Sequence, residues 1–240
     1  EYYCGTDPND AGAFGSCSMI AGASDIRLDT DAPGSADSYY PQVSSDEDGH
    51  VYVTWSDYRN SDAIDIYFNY STDYGATWQT NDIRINTGSE TASALGQKIS
   101  TDGNGHVYVT WNEYRYGHNN YAIYFNYSND YGATWQPSDM RINRDSQVVT
   151  NYYSGFEINS DRYGHVYVTY DGSRDGVVSD IYFNYSNDYG ATWQTNDIRI
   201  NTGVDLHYAY DPRISTDGNG HVYVTWSNYR DGNRDIYFNY

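Results

Sequence analysis

An arginine recurs at one equivalent position in four similar segments of this chain, and the residues around it could bind a ligand. The segments are Asp57-Tyr-Arg59, Glu113-Tyr-Arg115, Gly172-Ser-Arg174 and Asn228-Tyr-Arg230. A planar guanidinium beside a tyrosine ring suits an anionic or hydroxyl-rich ligand such as a sugar. Alternatively, each arginine pairs with its neighbouring acid and fastens a loop to the next repeat, and this structural interpretation is the one we favour. The hypothetical ligand-binding set is Arg59, Arg115, Arg174, Arg230, Asp57, Glu113, Tyr58, Tyr114 and Tyr229.

A second set of polar and charged residues occupies one equivalent position in the first strand of each repeat. The four residues are Gln42, Lys98, Glu157 and Arg213. Around a central axis Lys98, Glu157 and Arg213 would converge, and an acid between two cations could serve as a catalytic carboxylate. Such a cluster is more often a charge-balanced plug, and we favour that interpretation.

Four aspartates open the turns that follow these strands: Asp46, Asp102, Asp161 and Asp217. They resemble fragments of oxygen-rich calcium loops, although the full ligand spacing and the closing glutamate are missing. Calcium is therefore a candidate cofactor, but turn formation is the favoured explanation for aspartate at these positions. A histidine begins the next strand in every repeat, at positions 50, 106, 165 and 221. This regularity predicts a packing role and not a zinc site.

Tandem repetition with a period of 55 to 59 residues positions all of these side chains. The segment His50-Val-Tyr-Val-Thr-Trp55 returns at 106, 165 and 221, and Ile66-Tyr-Phe-Asn-Tyr70 returns at 123, 181 and 236. Alternation with period two predicts strands, and pairs such as Asn104-Gly105 predict tight hairpin turns. Four short antiparallel strands recurring at this interval are typical of a propeller blade.

The two ends of the chain complement each other in this pattern. The fourth repeat reaches its third strand at Tyr240, and Asp25-Ile-Arg-Leu28 matches Asp82-Ile-Arg-Ile85, the last strand of the first repeat. We therefore predict an all-β fold over residues 25–240. It is a four-bladed β-propeller of four-stranded antiparallel blades, whose last blade is completed by the N-terminal strand, which leaves no unpaired edge. The same strand could instead complete the blade of a neighbouring copy, giving a closed oligomer or a fibre.

Composition narrows the range of partners. The 240 residues include 33 acidic and 13 basic side chains, a net charge of −20 that repels nucleic acid phosphates and anionic lipid surfaces. No stretch approaches the roughly 20 apolar residues of a membrane helix. Residues 1–24 are predicted to form an extension tied by a disulfide between Cys4 and Cys17. We expect a secreted or cell-surface protein without its signal peptide, which binds a glycan or an extracellular protein, or associates with itself.

A third repeated motif carries a family resemblance. Ser71-Thr-Asp-Tyr-Gly-Ala-Thr-Trp78 recurs at residues 128–135 and 186–193. It resembles the Asp-box, the S-x-D-x-G-x-T-W motif of bacterial sialidase-like BNR propellers, and the resemblance covers residues 25–240. In that family the box is a structural turn between the third and fourth strands, away from the active site. The resemblance implies a folding role for Asp73, Asp130 and Asp188, which would bond their own turns, and for Trp78, Trp135 and Trp193, which would pack between strands.

The resemblance also raises enzyme activity as an alternative. Sialidases of this family use an arginine triad, a tyrosine nucleophile activated by a glutamate, an aspartic acid, and an early Arg-Ile-Pro motif. No Arg-Ile-Pro occurs here, four repeats stand in place of six, and a tyrosine–glutamate couple would have to use Glu113 or Glu157. We therefore expect a non-catalytic binding or structural module, with a sialidase-like glycoside hydrolase or a polysaccharide lyase as the alternative.

Strand order predicts that the arginine loops and the loops after the fourth strands share one end of the blades, opposite the Asp-boxes. The loops after the fourth strands are long and differ between repeats, and divergence on a repeated frame is where specificity is expected. Their tyrosines, which could stack on sugar rings or cap the inner core, are Tyr39, Tyr40, Tyr152, Tyr153, Tyr208 and Tyr210.

Overall fold

The computed structural model describes residues 24–60, 63–88, 92–115, 121–143, 155–173, 178–202, 208–230 and 232–240. The predicted disulfide of Cys4 and Cys17 lies outside the described residues, as do Arg174, Tyr152 and Tyr153. The described residues form fifteen strands in four antiparallel sheets. Within these ranges no helix is long and apolar enough to cross a membrane.

The sheets follow one another along the chain. The first contains β1 (Ser38–Ser45), β2 (Val51–Asp57), β3 (Asp65–Ser71) and β4 (Ile83–Arg84). The second contains β5 (Ala94–Thr101), β6 (Val107–Glu113), β7 (Ala122–Ser128) and β8 (Met140–Arg141). The third contains β9 (Phe156–Ser160), β10 (Val166–Gly172), β11 (Asp180–Ser186) and β12 (Ile198–Arg199). The fourth contains β13 (Ala209–Thr216), β14 (Val222–Arg230) and β15 (Asn233–Asn239).

The middle strands of each sheet are the most regular because their sequences suit a pleated, buried surface. The β-branched and aromatic residues of β6 fit that environment, and all seven residues of the strand are buried. Trp111 lies opposite Tyr124 in the β6–β7 register. Gly105, with φ of 98°, closes the β5–β6 turn in a backbone conformation that glycine adopts without steric cost. The outer strands β4, β8 and β12 have only two residues each.

Apolar side chains pack between consecutive sheets. One cluster joins the first and second sheets and includes Phe68 and Trp111. Another joins the second and third sheets and includes Phe125 and Tyr170. A third joins the third and fourth sheets around Trp226. The core therefore consists of layers between neighbouring sheets, as in propeller folds.

The expected completion of the fourth sheet by the N-terminal strand is not seen among the described residues. The fourth sheet has three strands, and residues 24–30 belong to no strand. This segment lies against the first sheet, where Asn69 Nδ2 donates to the Leu28 carbonyl at 3.1 Å. The equivalent Asn126 Nδ2 donates to the Ile85 carbonyl at 3.0 Å. Residues 25–30 thus lie where the last strand of a preceding sheet would lie. The described strands of the first and fourth sheets do not pack on one another as those of consecutive sheets do.

Candidate functional site

The two ends of each sheet carry different sequence elements. The register of β1 and β2 pairs Ser38 with Asp57 at one end and Ser45 with Val51 at the other. The end near Ser45 also carries the Asp-box turns, and we call it the Asp-box end. The end near Ser38 carries the arginine loops and the exposed tyrosines, and we call it the tyrosine end.

At the Asp-box end, each box aspartate is bonded within its own turn. Asp73 Oδ1 accepts the Thr77 backbone N–H at 2.7 Å, Asp73 Oδ2 accepts the Thr77 hydroxyl at 2.6 Å, and the Ser71 hydroxyl donates at 2.8 Å. The hydrogen bonds from Thr77 hold the pKa of the Asp73 carboxyl below its ordinary value. Asp130 and Asp188 repeat these bonds. The three carboxylates are thereby occupied in holding their turns.

The aromatic residues of the boxes fasten each sheet to the preceding one. Trp135 packs edge-on against Phe68 of the first sheet, with ring centroids 4.9 Å apart, and Trp193 packs in the same way on Phe125 at 5.0 Å. Tyr131 covers His50 at 4.5 Å, and the same contact recurs in the next pair of sheets. These contacts hold neighbouring sheets together, so the Asp-box end serves as scaffold.

The turn aspartates, which the sequence offered as calcium ligands, face hydrogen-bond donors. Asp46 Oδ1 accepts the amides of Asp48 and His50 at 3.0 and 2.9 Å, and Asp46 Oδ2 lies 2.7 Å from His50 Nδ1. The contact to the following histidine recurs at Asp102, Asp161 and Asp217. Calcium takes six to eight oxygen ligands, and in the described part of the chain no group of three or more His, Cys, Asp and Glu side chains could hold a metal ion. These turns therefore do not fit a calcium site.

The arginine of the second sheet is directed at the protein's own acids. Arg115 Nε donates to Glu113 Oε1 at 2.8 Å, and Nη2 donates to Glu113 Oε2 at 3.0 Å and to Asp139 Oδ2 at 2.6 Å. The guanidinium also lies over the Tyr124 ring, 3.6 Å from its centroid. Glu113 is fully buried. This arrangement joins the end of β6 to the segment before β8.

The other described arginines of the set are held in the same manner. Arg59 donates to Asp57 and Asp82 and lies over the ring of its own third strand at 3.7 Å. Arg230 donates to Asn228 Oδ1 and to the Thr202 carbonyl. Arg59 and Arg115 therefore bond acids of their own sheets, whereas Arg230 bonds across to the segment that follows β12 of the third sheet. The three guanidinium groups have separate partners.

Three of the four residues at the repeated position of the first strands form an ion-paired cluster. Gln42, Lys98, Glu157 and Arg213 lie opposite equivalent threonines of the second strands. Glu157 Oε1 lies 2.9 Å from Lys98 Nζ and 3.2 Å from Arg213 Nη1. Gln42 donates to the Pro41 carbonyl instead. The carboxylate of Glu157 is thus shared between two cations.

A cleft of about 280 Å³ opens at the tyrosine end of the first sheet. Tyr39, Tyr40 and Tyr58 are 44%, 65% and 45% exposed. Tyr39 meets Tyr58 edge-on at 5.5 Å, and its hydroxyl donates to Asp37 at 2.9 Å, a bond that raises the pKa of the phenol. The lining residues are Asp37, Tyr39, Tyr40, Ser56, Tyr58, Ile64 and Leu95. The cleft combines exposed aromatic faces with a few polar groups, as ligand pockets do.

The backbone of Tyr40 is in a conformation that disfavours a large side chain. A bulge interrupts the β1–β2 register here, and Tyr40 has φ of 56°. Glycine and aspartate fill the equivalent bulges of the second and fourth sheets, at Gly96 and Asp211. Left-handed backbone costs an L-residue roughly 1–2 kcal/mol. Gln97 fixes the bulge, because its Nε2 donates to the Tyr40 carbonyl while its Oε1 accepts from Ser56.

Tyrosine pairs recur at this end of other sheets. Tyr208 and Tyr210 stack with ring centroids 5.8 Å apart and nearly parallel planes. Tyr114 lies 5.5 Å from Tyr121 in the second sheet. Tyr229 is half exposed at the end of β14. The tyrosine end therefore presents aromatic surface on at least three sheets.

A larger cleft, of about 450 Å³, lies at the Asp-box end between the third and fourth sheets. Its walls include His165, Phe183 and His221. In the equivalent space between the first and second sheets, Tyr131 covers His50 and Trp135 packs on the phenylalanine. The cleft is therefore shaped for packing between sheets, and we do not assign it as the ligand site.

Comparisons with known proteins agree with this architecture. Residues 1–149 match the model of a family described as BNR repeat-containing. The comparison with curated protein sequences gives no match.

Solved structures show the same fold at low sequence identity. A Hadza microbial sialidase is 16% identical with a TM-score of 0.60, over 84% of this chain and 44% of that protein. A Penicillium chrysogenum α-L-arabinanase complexed with arabinobiose is 16% identical with a TM-score of 0.55, over 88% and 64%. A Trypanosoma rangeli sialidase is 18% identical with a TM-score of 0.55, over 85% and 36%. The chain thus spans less than two thirds of each of these proteins.

Proposed function

This chain belongs to the BNR repeat-containing family, and we propose that it is a secreted, non-catalytic β-propeller module whose tyrosine end binds carbohydrate. The observation that carries the proposal is the cleft of the first sheet, where three partly exposed tyrosine rings surround an aspartate and a serine. Similar folds are known with sugars, as in the arabinanase complexed with arabinobiose and the Trypanosoma rangeli sialidase in complex with sialic acid.

The chemistry of the cleft suits a sugar. A sugar ring has an apolar face of C–H groups, which packs on a tyrosine ring, and a rim of hydroxyls, which needs hydrogen-bond partners. Tyr39 and Tyr58 supply the aromatic faces, while the Asp37 carboxylate supplies a hydrogen-bond acceptor beside them and the Ser56 hydroxyl, whose proton is donated to Gln97, supplies a second acceptor. Tyrosine also gives a rigid contact surface at low entropic cost.

Hydrolysis has weaker support at this end of the molecule. Most glycosidases place two carboxyl groups at one sugar position, and the sialidase-like alternative needs a tyrosine coupled to a glutamate. Glu113 is buried behind Arg115, and Glu157 is shared between two cations. Neither glutamate offers a free carboxylate to a substrate, so we assign a binding role to the chain.

Alanine in place of Tyr39 and Tyr58 is expected to weaken glycan binding at least tenfold on a glycan microarray. The reason is that aromatic anchors at the centre of a contact typically contribute about 2 kcal/mol or more, and 1.4 kcal/mol is tenfold. Tyr163→Ala, which removes an exposed tyrosine from the opposite end, is the control and should bind like the unaltered chain. Absence of any glycan binding by the unaltered chain, or equal loss in the control, would contradict the proposal.

A second candidate function is assembly of copies through the fourth sheet. Ile66, Ile123 and Ile181 are fully buried, whereas the equivalent Ile236 is 74% exposed, and Phe238 is exposed beside it. At the other side of the molecule, residues 25–30 already lie as the last strand of a preceding sheet would. The two surfaces are the two halves of the interface that joins consecutive sheets, so we propose a second copy as the occupant.

If copies assemble through the fourth sheet, the average molecular mass in solution should rise with protein concentration. By sedimentation at micromolar concentrations, the unaltered chain should form dimers or larger species, and Ile236→Lys should be monomeric because a charge would be buried in the interface. Ile198→Lys, at an exposed position of the third sheet, is the matched control and should assemble normally. A monomer at all concentrations would rule this candidate out.

A further inference from the structure

Building on the proposed function, we infer that the cleft of the first sheet takes an uncharged sugar and that Tyr40 is its specificity-determining contact. An uncharged sugar suits the charges around the cleft, and a contact with that ligand accounts for a tyrosine at a backbone position suited to glycine.

The charges around the cleft favour a neutral ligand. Asp37 lines the cleft itself, and Asp57 lies directly below it at the end of β2. Arg59, which follows Tyr58 in the chain, is already held by Asp57 and Asp82 and lies 3.5 Å from Asp29, three acids for one cation. The whole chain carries a net charge of −20. A carboxylate-bearing sugar would therefore meet repulsion without a free cation to offset it.

Tyr40 contributes little to the protein's own packing. Its ring is more exposed than those of Tyr39 and Tyr58, and its backbone has positive φ. Three other tyrosines with positive φ, at 74, 131 and 189, stand at one repeated position of the Asp-boxes and pack on turn glycines. Tyr40 has no such repeat, because the equivalent positions are Gly96 and Asp211. Strain held without internal packing points to a contact outside the chain.

The Tyr40 ring lies beside the two other tyrosine rings of the cleft. The Tyr40 and Tyr39 centroids are 6.1 Å apart with planes tilted by 42°, and Tyr39 is edge-on to Tyr58. The three rings form a curved wall around a cleft of about 280 Å³, slightly below the roughly 300–1,000 Å³ typical of ligand pockets. A short segment of sugar fits such a wall, and Tyr40 is its outermost part.

The test uses a microarray of neutral oligosaccharides printed beside their sialylated or uronic-acid-bearing counterparts. The unaltered chain should bind neutral glycans at least tenfold more strongly than the matched acidic ones. Tyr40→Gly should lose at least tenfold in binding yet melt at the same temperature or higher, because glycine suits the left-handed backbone. Tyr40→Phe keeps the ring and should retain most of the binding.

Tyr131→Gly is the matched control for the backbone effect. It makes the same substitution at a positive φ, but this ring covers His50 and packs on Gly105. The variant should melt at a lower temperature while binding like the unaltered chain. Preference for acidic glycans, or unchanged binding by Tyr40→Gly, would overturn the inference and leave the proposed function standing. Failure of the unaltered chain to bind any printed glycan would instead remove the proposed function.

Discussion

Replacing Arg115 by alanine is expected to lower the free energy of unfolding by about 3–5 kcal/mol, the usual cost of removing one partner from a buried ion pair. Glu113 is fully buried and Asp139 lies on the far side of the guanidinium, so both acids would lose their cation at once. The stacking on Tyr124 would also be lost. Denaturant unfolding of the variant measures the effect.

Arg162→Ala is the control for this change, because Arg162 is exposed and lies 5.9 Å from the centroid of a tyrosine ring. It should alter the unfolding free energy by less than about 0.5 kcal/mol. The comparison also decides between the two roles considered for the recurrent arginines. An Arg115→Ala protein that unfolds like the unaltered chain but no longer binds glycan would make Arg115 a ligand contact and refute the structural role.

Replacing Gly132 by alanine is expected to destabilise the protein by about 2–5 kcal/mol. Gly132 has φ of 87°, and an added Cβ would lie 2.6 Å from Phe68 Cζ, on a ring that is fully buried in the first sheet. The backbone strain accounts for roughly 1–2 kcal/mol. The overpacking against Phe68 accounts for a further 1–3 kcal/mol or so.

Gly75→Ala separates these two contributions. Gly75 occupies the same Asp-box position with φ of 81°, but the nearest atom to an added Cβ is 3.9 Å away, on Trp78 of its own box. This variant should show the strain alone. Equal destabilisation of the two variants would mean that the second Asp-box does not pack on the first sheet, contrary to the edge-on contact of Trp135 with Phe68.

Much of the scaffold is predictable because each repeat contains its own signals. The Val-Tyr-Val-Thr-Trp alternation and the Asn-Gly pair of the second repeat predict β6 and the turn before it, and the structure has both. The position of the first sheet relative to the fourth is not encoded within any one repeat. It depends on the sum of several sheet-to-sheet rotations, which no single motif encodes, so the motif match of residues 25–28 alone could not establish whether this segment would join the fourth sheet.

The candidate site was only partly predictable. The sequence placed the tyrosine-rich loops and the arginine loops at one end of the sheets, where we propose the ligand binds, but the pairing of Arg59 with Asp82 depends on strand register across 23 residues. The positive φ at the Tyr40 bulge could have been predicted by aligning the repeats. Glycine and aspartate, at Gly96 and Asp211, both tolerate positive φ, and a tyrosine aligned with them indicates strain.

The most direct measurement of the central claim is a crystal structure of the chain with a neutral oligosaccharide selected on the microarray. The account predicts a sugar ring packed on Tyr39, Tyr40 and Tyr58, with a hydroxyl bonded to Asp37. Arg59 and Arg115 should keep their present acid partners in that complex. A sugar bound at the axial Glu157 or at the Asp-box end, with an empty tyrosine cleft, would contradict it.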